Sequence, residues 1–293
     1  MASQFRQPVI KLSSPITGEF WEIPVVYEDA HLLAVNKPSG LLSSPDRYDP
    51  QRPNLMKLLH AGIAEGKPWA KQRGLDYLMN AHRLDFETSG VMLLARSKPI
   101  LVSLANLFGS EKPLKRYAAL VHGAPSEERF EINAPLAPHP VRLGEFRVDT
   151  KRGKRARTRF AVLERFGGWT LLTCEPLSGR THQIRVHLRH SGFPLVGDEL
   201  YGGKPLLLSR LKSGYRLKPG HTERPLLDRV ALHAEELILP HPAGNEPVKI
   251  VAPWPKDLVV AVKYLRRYAP ARSDKQNHGR PESQGPTAVT MER

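Results

Sequence analysis

The stretch 155–174 restricts the fold most. Arg155, Arg157 and Arg159 alternate with Ala156, Thr158 and Phe160, the two-residue period of a strand with one wet face and one packed face. Gly167-Gly168 follows, a pair suited to a tight turn, and then the apolar run 169–174. Neighbouring strands joined this closely must pair antiparallel. Other short apolar runs fall at 31–35, stopped by Asn36-Lys37-Pro38-Ser39-Gly40, and at 91–95, 115–121 and 247–251. Helical spacing links Leu55, Leu58, Leu59 and Ile63 after Pro53, then Ile100, Leu101, Leu104, Leu107 and Phe108 ahead of Gly109. It recurs in Leu258, Val259, Val262 and Leu265 after Pro255. Residues 181–190 read as a further helix closed by Gly192, with His182, Arg185 and Arg189 on one face. Strands outnumber helices and several are hairpin-linked. The expected class is α+β, with a central, largely antiparallel mixed β-sheet flanked by helices and loops.

No internal repeat and no Gly/Ser-rich or Pro-rich linker divides the chain, so one domain is expected at 20–268. Residues 1–19 read as an N-terminal extension, and 269–293 as a disordered basic and polar tail. A 40% hydrophobic content supplies a core for that single domain. The single cysteine, Cys174, excludes an intramolecular disulfide and fits a reducing compartment. The longest apolar runs, 91–95 and 258–262, are far too short to span a bilayer, and no apolar segment follows the first residues as in a secretory signal. A cytoplasmic, monomeric protein without membrane contact is the expectation.

Charge adds a partner. The formal net charge is +15, and three windows hold nearly all of it: 142–159 carries +6, 180–190 carries +3 and 203–229 carries +5. Concentration of this kind is the footprint of a protein that tracks a phosphate backbone. A solvated basic face that only maintains solubility is the alternative, and 151–155 also has the composition of a nuclear-localisation signal.

The densest polar cluster ahead of an apolar strand is Asn80 to Gly90, with His82, Arg83, Asp85, Glu87, Thr88 and Ser89. Such a segment is where a rigid sheet presents reactive groups. An ordinary turn, with Asp85 and Thr88 bonded to nearby backbone, explains the same composition. Serine-hydrolase chemistry is unsupported, because Ser89 lacks the Gly-x-Ser-x-Gly elbow. Metal chemistry is unsupported too: His182 and His187 lack the i, i+4 spacing of a zinc-binding helix, and one cysteine makes no ligand set.

Six ordered segments resemble the RluA-type RNA pseudouridine synthases. They are Glu28-Asp29 with 32–40, His82-Arg83-Leu84-Asp85 with Thr88-Ser89-Gly90, Lys115-Arg116-Tyr117, Gly153-Lys154 with Ala156 and Thr158, the run 179–188, and Leu232-His233-Ala234. Together they span about 28–254, and their shared order is far more specific than any one of them.

The resemblance implies a pseudouridine synthase fold at 20–268 and isomerisation of uridine in structured ribosomal or transfer RNA. No cofactor and no metal are required. Asp85 would act at the sugar C1′ while the glycosidic bond breaks, and Arg185 would pair with Asp85 and favour its charged form. Tyr117 would stack on the uracil and serve in proton transfer. Arg83 would fill the gap left by a flipped base, and Leu232 would pack beside that base. Arg155, Arg157, Arg159, Arg180 and His182 complete the expected substrate-binding set. Lys37-Pro38 would support the site, and His82, His182, His187 and His233 would act as structural hydrogen-bonders. Many members carry an N-terminal S4 RNA-binding domain, for which the residues ahead of 20 are too few, so RNA would be held through the three basic windows. The residues 203–229 read as a basic insertion that selects the RNA. A non-catalytic RNA-binding or RNA-folding module on the same fold, and a carbohydrate-active enzyme using Asp85 and Glu87, are the competing classes.

Overall fold

The computed structural model describes residues 8–46 and 49–271. Its N-terminal half contains β1 (Val9–Ser13), β2 (Phe20–Glu28), β3 (Leu32–Lys37), α1 (Leu55–Ala64), α2 (Pro68–Lys71), β4 (Met79–Asn80), β5 (Ser89–Ala95) and α3 (Lys98–Gly109). The rest contains β6 (Leu114–His122), β7 (Arg129–Asn133), β8 (Leu136–Pro138), β9 (Phe146–Val148), β10 (Arg157–Phe166), β11 (Trp169–Pro176), α4 (Gln183–His190), α5 (Leu208–Leu211), β12 (Leu232–Pro240), β13 (Pro247–Val251) and α6 (Lys256–Tyr268).

Eleven strands form one sheet in the order β1-β2-β3-β5-β12-β6-β11-β10-β7, with β4 added to β5 and β13 to β12. Every pairing is antiparallel except β5 with β12. That one parallel joint is short, matching His233 to Ser89 and Ala234 to Gly90. It is the seam between two half-sheets, and each half is packed on both faces. Leu33, Val35, Met92 and Leu94 pack under α1 and α2, while Leu32, Ala34, Leu93 and Ala95 pack under α3. Beyond the seam, Leu120 and Leu171 face α6, while Ala119, Leu172 and Cys174 face α4.

The 155–174 hairpin forms with Phe166 opposite Trp169, and Arg157 and Arg159 lie exposed while Thr158 and Phe160 are buried. Several boundaries differ from the sequence reading. The sheet begins before residue 20: Ile10 and Leu12 of β1 are buried against β2, inside the stretch read as an extension. Only those two inward residues mark this strand, too few to show a period. Asn54, not Pro53, starts α1, its side chain accepting from the Lys57 N–H at 2.9 Å. The left-handed residue beyond α3 is Glu111, not Gly109. Helix α4 starts at Gln183, because His182 is left-handed with φ 54° and cannot continue a helix backwards. The tail expectation for 269–293 lies almost wholly outside the described residues.

Candidate active site

The loop 81–88 joins β4 to β5 and carries Asp85. It is held from several sides by short polar contacts. The Asn80 amide donates to His82 O at 2.9 Å, and the His82 ring accepts from the Leu93 N–H at 3.1 Å while stacking on Phe108. Ser43 Oγ donates to Leu84 O at 2.7 Å and accepts from the Leu84 N–H at 3.0 Å. Ser39 Oγ donates to Glu87 O at 2.7 Å, and the Gly40 N–H donates to Phe86 O at 2.9 Å. The segment after β3 is therefore a cradle for the Asp85 loop. Lys37 stiffens that cradle from inside. It is buried, and its ammonium donates to Pro38 O at 2.8 Å and Leu41 O at 2.7 Å. Burial pulls its pKa down to about 7, against the charges of Asp85 and Glu87, which favour the ammonium.

A second wall comes from α4. Its Gln183 is buried, accepts from Ser178 Oγ at 2.7 Å and donates to Thr158 Oγ1 and Arg157 O, each at 3.0 Å. His187 continues this chain, its ring in contact with Thr158 Oγ1 and Ala134 O, each at 2.9 Å. The helix is thereby fixed to β10, and Arg185 is aimed across the seam. The Arg185 guanidinium is 2% exposed. Its Nε and Nη2 donate to the two oxygens of Asp198, each at 2.8 Å, and Nη1 donates to Glu87 at 3.3 Å. Asp85 lies 3.9 Å from Nη1. The expected Arg185–Asp85 pairing is thus a loose one, and the tight partner is Asp198. The Arg185 guanidinium also lies 5.1 Å over the Tyr201 ring. The Tyr201 hydroxyl accepts from the Phe146 N–H at 3.0 Å and contacts His182 Nδ1 at 2.8 Å.

The third wall is the seam itself. Tyr117 of β6 sits opposite Ala234, and Leu232 opens β12 beside it. Burial, and after it the charge of Asp85, push the Tyr117 phenol far above its ordinary range, so it stays protonated at neutral pH. Burial pushes the His182 ring down, so it favours the neutral form.

These walls border an open cleft of about 500 Å³, whose lining includes Asp85, Tyr117, Arg185, Leu232, Arg83, Arg180 and His182. Seven of the expected site residues therefore meet in one place. Arg155, Arg157 and Arg159 do not line the cleft. Arg157 and Arg159 share Glu131 at 3.8 and 3.0 Å, while the Arg155 carbonyl accepts from Arg180 Nε at 3.0 Å. His82, His182, His187 and His233 each have a hydrogen-bond partner, as expected of structural histidines. Sequence reading missed Asp198, Tyr201, Ser178 and the tight role of Gln183. The cluster Gly197-Asp198 with Tyr201-Gly202-Gly203 was the available signal, an acid and a ring set between glycines.

A carboxylate, an aromatic ring and a buried arginine line one cleft together with exposed cations. A cleft with this lining suits a polyanionic substrate. The comparisons with known proteins make the class definite. The family model for RNA pseudouridylate synthase matches residues 31–190, more than half of the chain. A Xylella fastidiosa protein named ribosomal large subunit pseudouridine synthase D is 37% identical over 250 residues, covering 83% of this chain and 70% of that protein. A Bacillus subtilis protein named uncharacterized RNA pseudouridine synthase YlyB is 32% identical over 253 residues, covering 86% of this chain and 76% of that protein. The solved structure of human RNA pseudouridylate synthase domain containing 1 superposes with a TM-score of 0.58 at 26% identity, covering 80% of this chain and 84% of that one. The chain belongs to the RNA pseudouridylate synthase family and is an isomerase that acts on RNA.

Proposed function

We propose that this chain isomerises specific uridines of large-subunit ribosomal RNA to pseudouridine, with Asp85 as the catalytic carboxylate and the target base flipped into the cleft. The RNA class is taken from relatives named as ribosomal large subunit synthases. In the reaction the C1′–N1 bond breaks and a C1′–C5 bond forms, while the proton on C5 is lost and N1 gains one. Nothing is oxidised or reduced. The step needs an anion at C1′ as positive charge grows on the sugar, as in glycoside cleavage. It also needs a surface that keeps the detached base in place while it turns. Tyr117 and Leu232 supply that surface in this reading.

The observation that carries the proposal is the setting of Asp85. Its carboxylate is 22% exposed and lines the cleft, among the described residues it accepts no hydrogen bond and its one ion-pair contact is Arg185 Nη1 at 3.9 Å, and its loop is fixed by Ser39, Gly40 and Ser43. A carboxylate held in place but not tied up by donors keeps its charge available for the reacting atom. In this reading the target base leaves its stack to reach Asp85, and a cleft of about 500 Å³ is of the size to receive a single nucleotide. Arg83, exposed at the mouth, takes the space the base vacates.

The test is Asp85→Asn. Pseudouridine formation in unmodified large-subunit ribosomal RNA should vanish while RNA binding persists. Mapping pseudouridine in cells with and without the gene then identifies the uridine. Full activity in the variant would sink the role of Asp85, and a change confined to transfer RNA would overturn the ribosomal target.

A further inference from the structure

The cations outside the cleft are of two kinds. Many already have a carboxylate: Arg165 meets Glu128, Arg266 meets Glu164, Arg229 meets Asp257 and Arg159 meets Glu131, at 2.7 to 3.0 Å. Lys204, Arg210, Lys212, Arg216, Lys218 and Arg224 differ. All six are exposed, and among the described residues none is in an ion pair. Glu223, in the same stretch, is occupied in accepting the Ser209 N–H at 2.8 Å.

The chain path explains why this charge gathers in one place. The stretch 203–229 begins just after Asp198 and Tyr201, which bond the cleft residues Arg185 and His182, and ends just ahead of Leu232 of the cleft lining. Its two feet touch: the Ala231 N–H donates to Val196 O at 2.9 Å, and the Gly197 N–H donates to Lys204 O at 3.0 Å. A Cβ on Gly197, at φ +74°, would lie 2.2 Å from Arg229 O, so only glycine lets the feet close. Between the feet, Leu206, Leu211 and Leu227 are buried against Leu258, Val262 and Leu265 of α6. With the leucines turned inward, the lysines and arginines face water. Leu217 is the one large hydrophobic exposed between 204 and 224 among the described residues, which leaves no apolar patch for a protein or a bilayer.

We propose that residues 204–224 form a second RNA-binding surface, on the α6 face of the sheet, which grips phosphates of the same RNA beyond the nucleotides held at the cleft on the α4 face. It rests on the reading of the cleft as the RNA site, because the stretch begins just after Tyr201, which bonds His182 of the cleft lining, and ends just ahead of Leu232, itself in that lining. Unpaired cations bind phosphate at full value by releasing counterions. Cations already held by a carboxylate must first break that pair, so they add little.

The experiment follows binding of unmodified large-subunit ribosomal RNA to the full chain across a salt series. One variant combines Arg210→Gln, Arg216→Gln and Lys218→Gln. A control combines Lys11→Gln, Lys67→Gln and Arg266→Gln, which removes the same net charge from cations paired with Glu22, Glu65 and Glu164. The first variant should flatten the slope of log affinity against log salt by about two and weaken binding about tenfold, at roughly 0.7–0.9 per lost phosphate contact. The control should move less than half as far. Single-turnover pseudouridine formation at saturating RNA should match the wild type in both, and thermal melting checks that both are folded. An unchanged slope in the first variant, or equal changes in the two, overturns the proposal. Loss of binding to phosphatidylserine vesicles with RNA binding intact overturns it as well, in favour of a lipid surface. Binding is read without turnover, so a wild-type chain that makes no pseudouridine counts against the proposed function and not against this surface.

Discussion

Arg185 gives two nitrogens to Asp198 at 2.8 Å each, while its third, Nη1, donates to Glu87 at 3.3 Å and stands 3.9 Å from Asp85. The geometry assigns Asp198 the part of a positioning residue: it keeps the planar fork of the guanidinium off Asp85, the carboxylate proposed to react. In Asp198→Ala the fork is free to close on Asp85 and Glu87. The rate of pseudouridine formation should fall by about 10- to 100-fold, the scale of a misplacement near 1 Å. RNA affinity should stay within about twofold. Removing one member of a buried pair costs about 3–5 kcal/mol, and here the loss should be smaller because Glu87 still faces Arg185. Asp198→Asn, which retains one acceptor, should recover part of the rate. A rate that falls only in step with the melted fraction would make Asp198 purely structural.

Gly90 decides whether the Asp85 loop reaches the seam. It has φ +120° and pairs with Ala234 across the one parallel joint, where an added Cβ would lie 2.2 Å from Ala234 O and 2.6 Å from Ala234 N. Backbone on both sides leaves nowhere for a methyl group to go. Gly90→Ala should destabilise the fold by more than about 3 kcal/mol, combining backbone strain with overpacking. Denaturant unfolding measures this, and a loss below 1 kcal/mol would show that the seam is compliant.

Local signals survive in the sequence and distant ones do not, and this site has both. The alternation of Arg157 and Arg159 with Thr158 and Phe160 fixed a strand because its period is local. The crowding around Asp85 flagged a loop for the same reason. Asp198 carried no such mark: it meets Arg185 only after 191–197 turns back, and its neighbours show neither a helical nor a strand period. Likewise, Arg185 on a helical stripe reads as a surface cation, and only the tertiary fold buries it under Tyr201. Family resemblance supplied Tyr117 and Leu232, which an apolar strand alone does not set apart from core.

Acid stability should be governed in part by His233. Its ring is fully buried, with Nδ1 2.9 Å from Ser89 Oγ and Nε2 3.2 Å from Ala252 O. Burial is the largest influence on it and pulls its pKa down to about 4; His82 is pulled down to about 4 for the same reason. The unfolded chain titrates these rings near 6.5, so between 6.5 and 4 it binds protons that the folded chain refuses. Stability is therefore full above pH 6.5 and is lost as pH falls toward 4, by at most about 3 kcal/mol for His233. His233→Gln should be less stable at pH 7, because Ser89 and Ala252 lose their partner, yet its melting temperature should vary less with pH across that window. An unchanged pH slope would show that His233 is not the sensor.

Tyr117 offers two separable parts, a ring and a hydroxyl. The ring packs at the seam between Ala234 and Cys174, and the hydroxyl has no protein partner among the described residues. With the phenol driven up by burial and by Asp85, phenolate is scarce at neutral pH. In the proposed reaction the hydroxyl is therefore expected to act as a protonated relay between C5 and N1 and not as a standing base. Tyr117→Phe keeps the stacking surface, so RNA affinity should remain within about twofold, while pseudouridine formation should fall by about 10²- to 10⁴-fold, the range for a lost proton-transfer group. Tyr117→Ala removes the ring as well and should weaken retention of the flipped base by a further ~1–3 kcal/mol. Neither the wild type nor the Phe variant should gain rate between pH 8 and 10, since no phenolate forms there. Full rate in Tyr117→Phe would reduce Tyr117 to a stacking surface, and a rise in wild-type rate over that pH span that the Phe variant lacks would restore the standing base.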